Sequence, residues 1–166
     1  LGQTAAKLRH LALALEAVVL GKEGGLELAR TLLSRADIDV NTGSTSSDGI
    51  ETTPLALALD AVILDKEGGL ELARTLLSHA DIDVNTGSDT PLALALMAAI
   101  QDKEGGVELV RMLLSHADIN VNATSTGPDG SKGSPLLFAL GAVGQGKGGG
   151  VELVRMLLSH ADINVN

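Results

Sequence analysis

Leu76-Leu77-Ser78-His79-Ala80-Asp81-Ile82-Asp83-Val84-Asn85 is one of four near-copies of a single ten-residue phrase, whose other copies close at Asn41, Asn122 and Asn166. Counting back from each closing asparagine gives four ungapped 33-residue blocks, 9–41, 53–85, 90–122 and 134–166, joined by linkers of 11, 4 and 11 residues. A chain that repeats itself this closely is a stack of like units, each burying its apolar face against the next. Catalysis needs unlike residues converging on one point. Near-identical units supply like residues at regular intervals, so the repetition argues against an enzyme. The long linkers resemble each other in turn: Ser44, Thr45 and Asp48-Gly49 match Ser125, Thr126 and Asp129-Gly130, which makes a pair of blocks the larger unit.

Each block reads as two helices. Thr53-Pro54, Thr90-Pro91 and Ser134-Pro135 each place a capping hydroxyl before a proline at the first helical position. The first helix of block two runs on through Leu55, Leu57, Leu59, Val62 and Ile63 with alanines between them, apolar nearly all round, as expected of a helix held between neighbours. Gly68-Gly69, with Gly24-Gly25 and Gly105-Gly106, is expected to break that helix, since glycine takes the left-handed conformation without steric cost. In the second helix Leu70, Leu72, Ala73, Leu76 and Leu77 share a face. Glu71 and Arg74, three residues apart, are expected to pair along the helix surface, as are Glu27/Arg30, Glu108/Arg111 and Glu152/Arg155. Ile82 and Val84 alternate with polar residues and predict a short extended exit into a turn. In block four, Gly141, Gly144, Gly146 and Gly148 predict a first helix that stops near Leu140, with a loose loop over 144–150.

Composition narrows the function classes. The formal net charge is -9, and the 12 Lys and Arg residues are scattered, with Phe138 the only aromatic. Phosphate binding draws on clustered cations and base stacking on aromatic rings, so nucleic acid is not an expected partner. There is no cysteine, hence no disulfide, thiolate ligand or thiol nucleophile. The longest apolar run, 55–64, is half of what a bilayer crossing needs, so no membrane partner is expected.

The Thr-Pro-Leu opening, the second helix closing in Leu-Leu, and the Asp-Val-Asn exit resemble the ankyrin repeat, whose signature Thr-Pro-Leu-His-x-Ala opens a turn-helix-turn-helix unit. The resemblance covers all four blocks. It implies an all-α solenoid of four ankyrin-like helix-turn-helix repeats with turn or hairpin linkers, a non-enzymatic role in binding protein, and a cytoplasmic setting. It also makes Asn41, Asn85 and Asn122 conceivable hydroxylation sites. This chain departs from the pattern at Ala56, Ala93 and Leu137, which stand where the signature histidine would, and at Arg9-His10, which opens block one in place of Thr-Pro. The first helix with its following loop is longer than the family's, so 62–69 is expected to protrude.

Three local motifs invite chemistry. Asp37-Ile38-Asp39-Val40-Asn41 begins like a calcium loop, but Gly43 falls one position late, Asp48 stands where a Glu is required, and Asn120 and Asn164 replace the middle aspartate in blocks three and four. A turn is the better reading, and no metal or cofactor is expected. His79, His116 and His160 occupy one equivalent position, but stacked helices lie about 8–10 Å apart and two zinc ligands must each reach within about 2.1 Å of the ion. They read as helix-end residues facing the dipole's negative end. Asn122-Ala123-Thr124 is a complete glycosylation sequon, relevant only to a secreted chain.

The internal variation carries the functional expectation. Glu16, Asp60, Met97 and Gly141 share one position, and Leu20, Leu64, Gln101 and Gln145 another, while the framework around them scarcely changes. With the linker aspartates Asp48, Asp89 and Asp129 these form the expected partner-binding surface. A second expectation is a structural subunit that stacks end to end into a filament, because neither block one nor block four shows the polar cap that ends a solenoid. Its contact would bury Leu11, Leu15 and Val18 on one side and Leu153, Met156 and Leu157 on the other. The partner is thus a protein or further copies of the chain as a head-to-tail homo-oligomer.

Overall fold

The computed structural model describes residues 2–45, 49–126 and 130–166, with residues 2–9 described by backbone alone. Among the described residues eight helices alternate in two rows, as a solenoid of four ankyrin-like helix-turn-helix units. The first helix of each block, α1 (Gly2–Val19), α3 (Pro54–Ile63), α5 (Pro91–Ile100) and α7 (Pro135–Gly144), packs on its neighbours to form the inner row. The second helices, α2 (Gly25–Leu33), α4 (Gly69–Leu77), α6 (Gly106–Leu114) and α8 (Gly150–Leu158), form the outer row. Each long linker folds as a hairpin of two-residue strands. Ser44–Thr45 (β1) pairs antiparallel with Glu51–Thr52 (β2), and Ser125–Thr126 (β3) with Lys132–Gly133 (β4). The four-residue linker 86–89 has no strand.

The helix starts are as the sequence implies. Thr53 Oγ1 accepts from the Ala56 N–H at 3.2 Å, Thr90 Oγ1 from Ala93 at 3.4 Å, and Ser134 Oγ from Leu137 at 3.3 Å, each ahead of its proline. The helix stop differs from the expectation. The first helix of block two ends ahead of Gly68: Asp65 takes φ 53°, the Lys66 N–H donates to the Ala61 carbonyl at 2.8 Å, and the chain turns there. Gly68, at φ 77°, then precedes the second helix as its N-cap. The 62–69 region is therefore the last turn of α3 followed by a hydrogen-bonded turn into α4. Gly69 lets the two helices touch, since a Cβ there would stand 2.8 Å from the Ala61 carbonyl carbon.

Block four needs a correction. Its first helix does not stop at Leu140 but runs to Gly144, the same ten residues as α3 and α5, and the turn after it repeats the other blocks' hydrogen bonds, with Lys147 N–H to Ala142 O at 2.9 Å. Glycine costs about 1 kcal/mol in a helix interior. Buried Leu136, Ala139 and Ala142 lock this helix between α5 and α8, and that packing outweighs the cost.

The core is aliphatic. Leu55, Leu59, Leu92 and Leu96 of the inner row meet Leu72, Leu76, Leu109 and Leu113 of the outer row, all fully buried. Burial of each leucine side chain is worth about 1.5–3 kcal/mol. Eight of the ten residues of α3 are buried and so are eight of α5, as expected of helices sandwiched on both sides. The five residues Leu11, Leu15, Val18, Leu153 and Leu157 belong to this core and are buried within the chain. They are not available for an end-to-end contact, which corrects that part of the expectation; Met156 is partly buried.

Candidate functional site

The seam between blocks is held by polar ladders that the sequence did not announce. The Asn85 side chain donates from Nδ2 to the Asp118 carbonyl at 2.6 Å and accepts the Asn120 N–H on Oδ1 at 2.8 Å. Asn41 does the same to Asp81 and Asp83, and Asn122 to Asp162 and Asn164. Each asparagine thus ties the exit of its own block to that of the next through the backbone. Both faces of these amides are engaged across a seam.

Within the same phrase Asp39 accepts the N–H groups of Asn41 and Thr42 at 2.8 and 3.0 Å. Burial raises its carboxyl pKa, but these hydrogen bonds outweigh it and hold the group below the ordinary carboxylate value. Among the described residues no three His, Asp or Glu side chains gather as a metal site.

The glutamates and arginines of the outer row form a second ladder, but between blocks and not along one helix as the spacing suggests. Arg30 donates to Glu71 through Nε at 2.8 Å and Nη2 at 2.5 Å, and Arg74 to Glu108 at 2.8 and 2.6 Å. Arg111 reaches Glu152 at 3.1 Å. Hydrogen bonds from the guanidinium groups lower the pKa of Glu71 and Glu108. Lys103 adds an ion pair with Asp65 across the same seam. His116 donates from Nε2 to the Leu77 carbonyl at 3.1 Å, so it caps the helix end of the preceding block, whereas His79 and His160 accept a backbone N–H two residues on.

On the inner face the expected partner-binding residues fall into three environments. Glu16 is tied to the Ser44 hydroxyl of the first hairpin at 2.5 Å. Asp60 is half-buried on α3 near the exposed Asp89; desolvation, with the Asp89 charge second, pushes its pKa up to about 6. Met97 on α5 and Gln101 just past its end line, with Gly141 on α7 and Gln145 just past its end, a pocket of about 490 Å³ that also takes in Thr126 and Ser131 of the second hairpin. Asp48 and Asp129 lie outside the described residues.

The pocket exists because of what block four lacks. Gly141 stands where the other blocks carry Glu16, Asp60 and Met97, and Gly144 where they carry Val19, Ile63 and Ile100. A Cβ added at either glycine would meet nothing within 4 Å. The space left between α5 and α7 is floored by Met97, Ile100, Leu137 and Phe138 and edged by the two glutamines. Its size suits a side chain or small ligand, and an apolar floor with a few polar edges is what such sites share. Sequence reasoning singled out Met97, Gln101, Gly141 and Gln145 but not Leu137 or Phe138. The available signal was a lone aromatic one turn ahead of two helical glycines.

Residues 89–125 match the family model of the ankyrin repeat. The match takes in block three with the turn before it and the start of the second hairpin, and blocks two and four repeat its pair of ten- and nine-residue helices with the same caps. No curated protein and no solved structure matches the chain. Ankyrin repeats are in general protein-interaction modules and typically not enzymes. No described helix is long and apolar enough to cross a membrane.

Proposed function

We propose that the chain is a non-enzymatic protein-interaction scaffold whose inner face takes a partner segment, with an apolar side chain in the α5–α7 pocket and a basic residue beside Asp60 and Asp89. The observation that carries this reading is the pocket itself, whose lining brings Met97, Gln101, Gly141 and Gln145, at two positions that differ between blocks, together with the chain's single aromatic ring. Asp60 lies one helix spacing away, on the order of 10 Å, so one short extended segment spans both features. The two carboxylates on that side favour a cation, and the overall charge of -9 favours a basic partner at long range.

Selection of a random peptide library on the purified chain tests it. Enriched peptides should pair a bulky apolar residue with a nearby Lys or Arg, and should lose binding to Gly141→Leu, which fills the pocket, and to Asp60→Lys. Peptides without that pairing, or unaffected by both substitutions, would exclude the inner-face reading.

A further inference from the structure

The pocket between α5 and α7 is edged by two carboxamides in equivalent places. Gln101 and Gln145 are the C-cap residues of α5 and α7, so they stand at matching positions one block apart. Both are exposed, and among the described residues neither side-chain amide makes a hydrogen bond. Blocks one and two place Leu20 and Leu64 there, 68% and 53% exposed, so the fold itself does not call for an amide at this position. No charged side chain lines the pocket. A neutral donor beside an apolar floor is suited to peptide main chain, and the chain holds its own backbone in this way: the Asn85 and Asn122 amides donate to the carbonyls of Asp118 and Asp162 at 2.6 and 2.7 Å.

The spacing selects the conformation of such a segment. Packed helices lie about 8–10 Å apart, so features repeated from α3 to α5 to α7 recur at that interval. A β-strand turns the same side to a surface every second residue, at about 7 Å and again at about 13 Å, on either side of that interval. A polyproline II segment does so every third residue, at about 9 Å, and makes no internal hydrogen bond. Its residues i and i+3 meet the pocket and, one helix spacing on, the carboxylates of Asp60 on α3 and Asp89 ahead of α5.

Resting on the inner-face reading, we infer that the partner segment is a proline-rich stretch in the polyproline II conformation, with a bulky apolar residue in the α5–α7 pocket and Lys or Arg three residues away toward block two, while Gln101 and Gln145 donate to main-chain carbonyls three residues apart. The apolar residue and the cation decide which segment binds, and the amides fix its conformation and register. A helical segment fits poorly, because its carbonyls are already bonded along the helix. Proline fits well, since it fixes φ and removes an N–H.

Fluorescence anisotropy with end-labelled peptides tests this. The lead peptide carries leucine and arginine separated by two prolines; the controls carry two glycines, one proline or three prolines between them. The lead peptide should bind about fivefold more tightly than each control. Gln101→Leu and Gln145→Leu install the residue that blocks one and two carry, so both variants should keep the wild-type circular dichroism, and each should weaken the lead peptide about fivefold. A glycine-spaced peptide that binds as well, or binding indifferent to both glutamine substitutions, overturns the polyproline clamp; if Gly141→Leu and Asp60→Lys still abolish that binding, the inner-face reading stands. Failure of all four peptides, beside library peptides that are lost with Gly141→Leu, has the same meaning. Binding that ignores both Gly141→Leu and Asp60→Lys overturns the clamp and the inner-face reading together.

Discussion

Arg74 of block two and Glu108 of block three close a two-bond ion pair across the seam between their blocks, with Nε to Oε1 at 2.8 Å and Nη2 to Oε2 at 2.6 Å. The geometry is the planar fork-on-carboxylate match that arginine makes and lysine does not. Both side chains are about half exposed, so the pair contributes little stability by itself and serves chiefly to fix how one block sits on the next.

Arg74→Lys should lose most of what Arg74→Ala loses in thermal stability, because the second hydrogen bond needs the guanidinium plane. The pH dependence has a fixed sign. The folded pKa of Glu108 lies below its unfolded value, so its contribution is present above the ordinary carboxylate range and is lost as pH falls through the lowered value. Glu108→Gln should flatten the acid limb of a stability profile, and the difference from wild type should shrink in high salt.

Asp60 has the opposite sign. Its folded pKa is raised from 3.8 to about 6, so the folded chain binds more protons than the unfolded chain between those values. Stability therefore falls as pH rises through that window, and the full penalty stands above it. Asp60→Asn should be more stable than wild type at pH 8 by about 1 kcal/mol, after discounting for the partial exposure of the group. Denaturant titration at pH 4 should find the two proteins nearly equal.

The asparagine ladder predicts a loss that a surface residue would not normally give. Asn85→Ala removes one donor and one acceptor and leaves the Asp118 carbonyl and the Asn120 N–H without this partner, at a cost of about 1–2 kcal/mol in urea unfolding. Asn85→Asp keeps the acceptor but turns a negative oxygen toward the Asp118 carbonyl, so it should be no better. An Asn85→Ala protein as stable as wild type would mean that the ladder follows the stacking and does not support it.

Two glycines should respond oppositely to the same substitution. A Cβ on Gly106 would stand 2.6 Å from the Ala99 nitrogen and 2.8 Å from the Ala98 carbonyl carbon, so Gly106→Ala must part α5 from α6 and should cost about 1–3 kcal/mol. Gly141 faces open space within a helix, and Gly141→Ala should stabilise by about 0.5–1 kcal/mol. Melting temperatures of the two variants on either side of wild type would satisfy this prediction.

What could be read from the sequence was whatever each block decides for itself. The Thr-Pro and Ser-Pro starts of blocks two to four, the apolar first helices and the two-helix count per block follow from local chemistry repeated along the chain. What could not be read lies between blocks. The Glu71–Arg74 spacing fits a pair along one helix, and only the rise from block to block brings Arg30 to Glu71 and takes Arg74 on to Glu108. Leu15 and Leu28 look alike as helical leucines, yet one is fully buried and the other is 51% exposed, a distinction of facing that periodicity does not encode. At the pocket, variation at Met97 and Gly141 pointed to the place, but the open space beside Gly141 depends on a side chain that is absent rather than on any that is present.

Phe138 is the only aromatic residue in the chain, and it forms part of the pocket floor. With no tryptophan or tyrosine present, the near-ultraviolet absorption is that of one phenyl ring, and the aromatic region of a proton spectrum, apart from four histidines, is a single spin system. The molecule therefore carries a built-in reporter at the place proposed for its partner. Ring-current shifts and line broadening at Phe138 would register occupancy there without a label, and a ligand bound at an end face would leave that signal where it was.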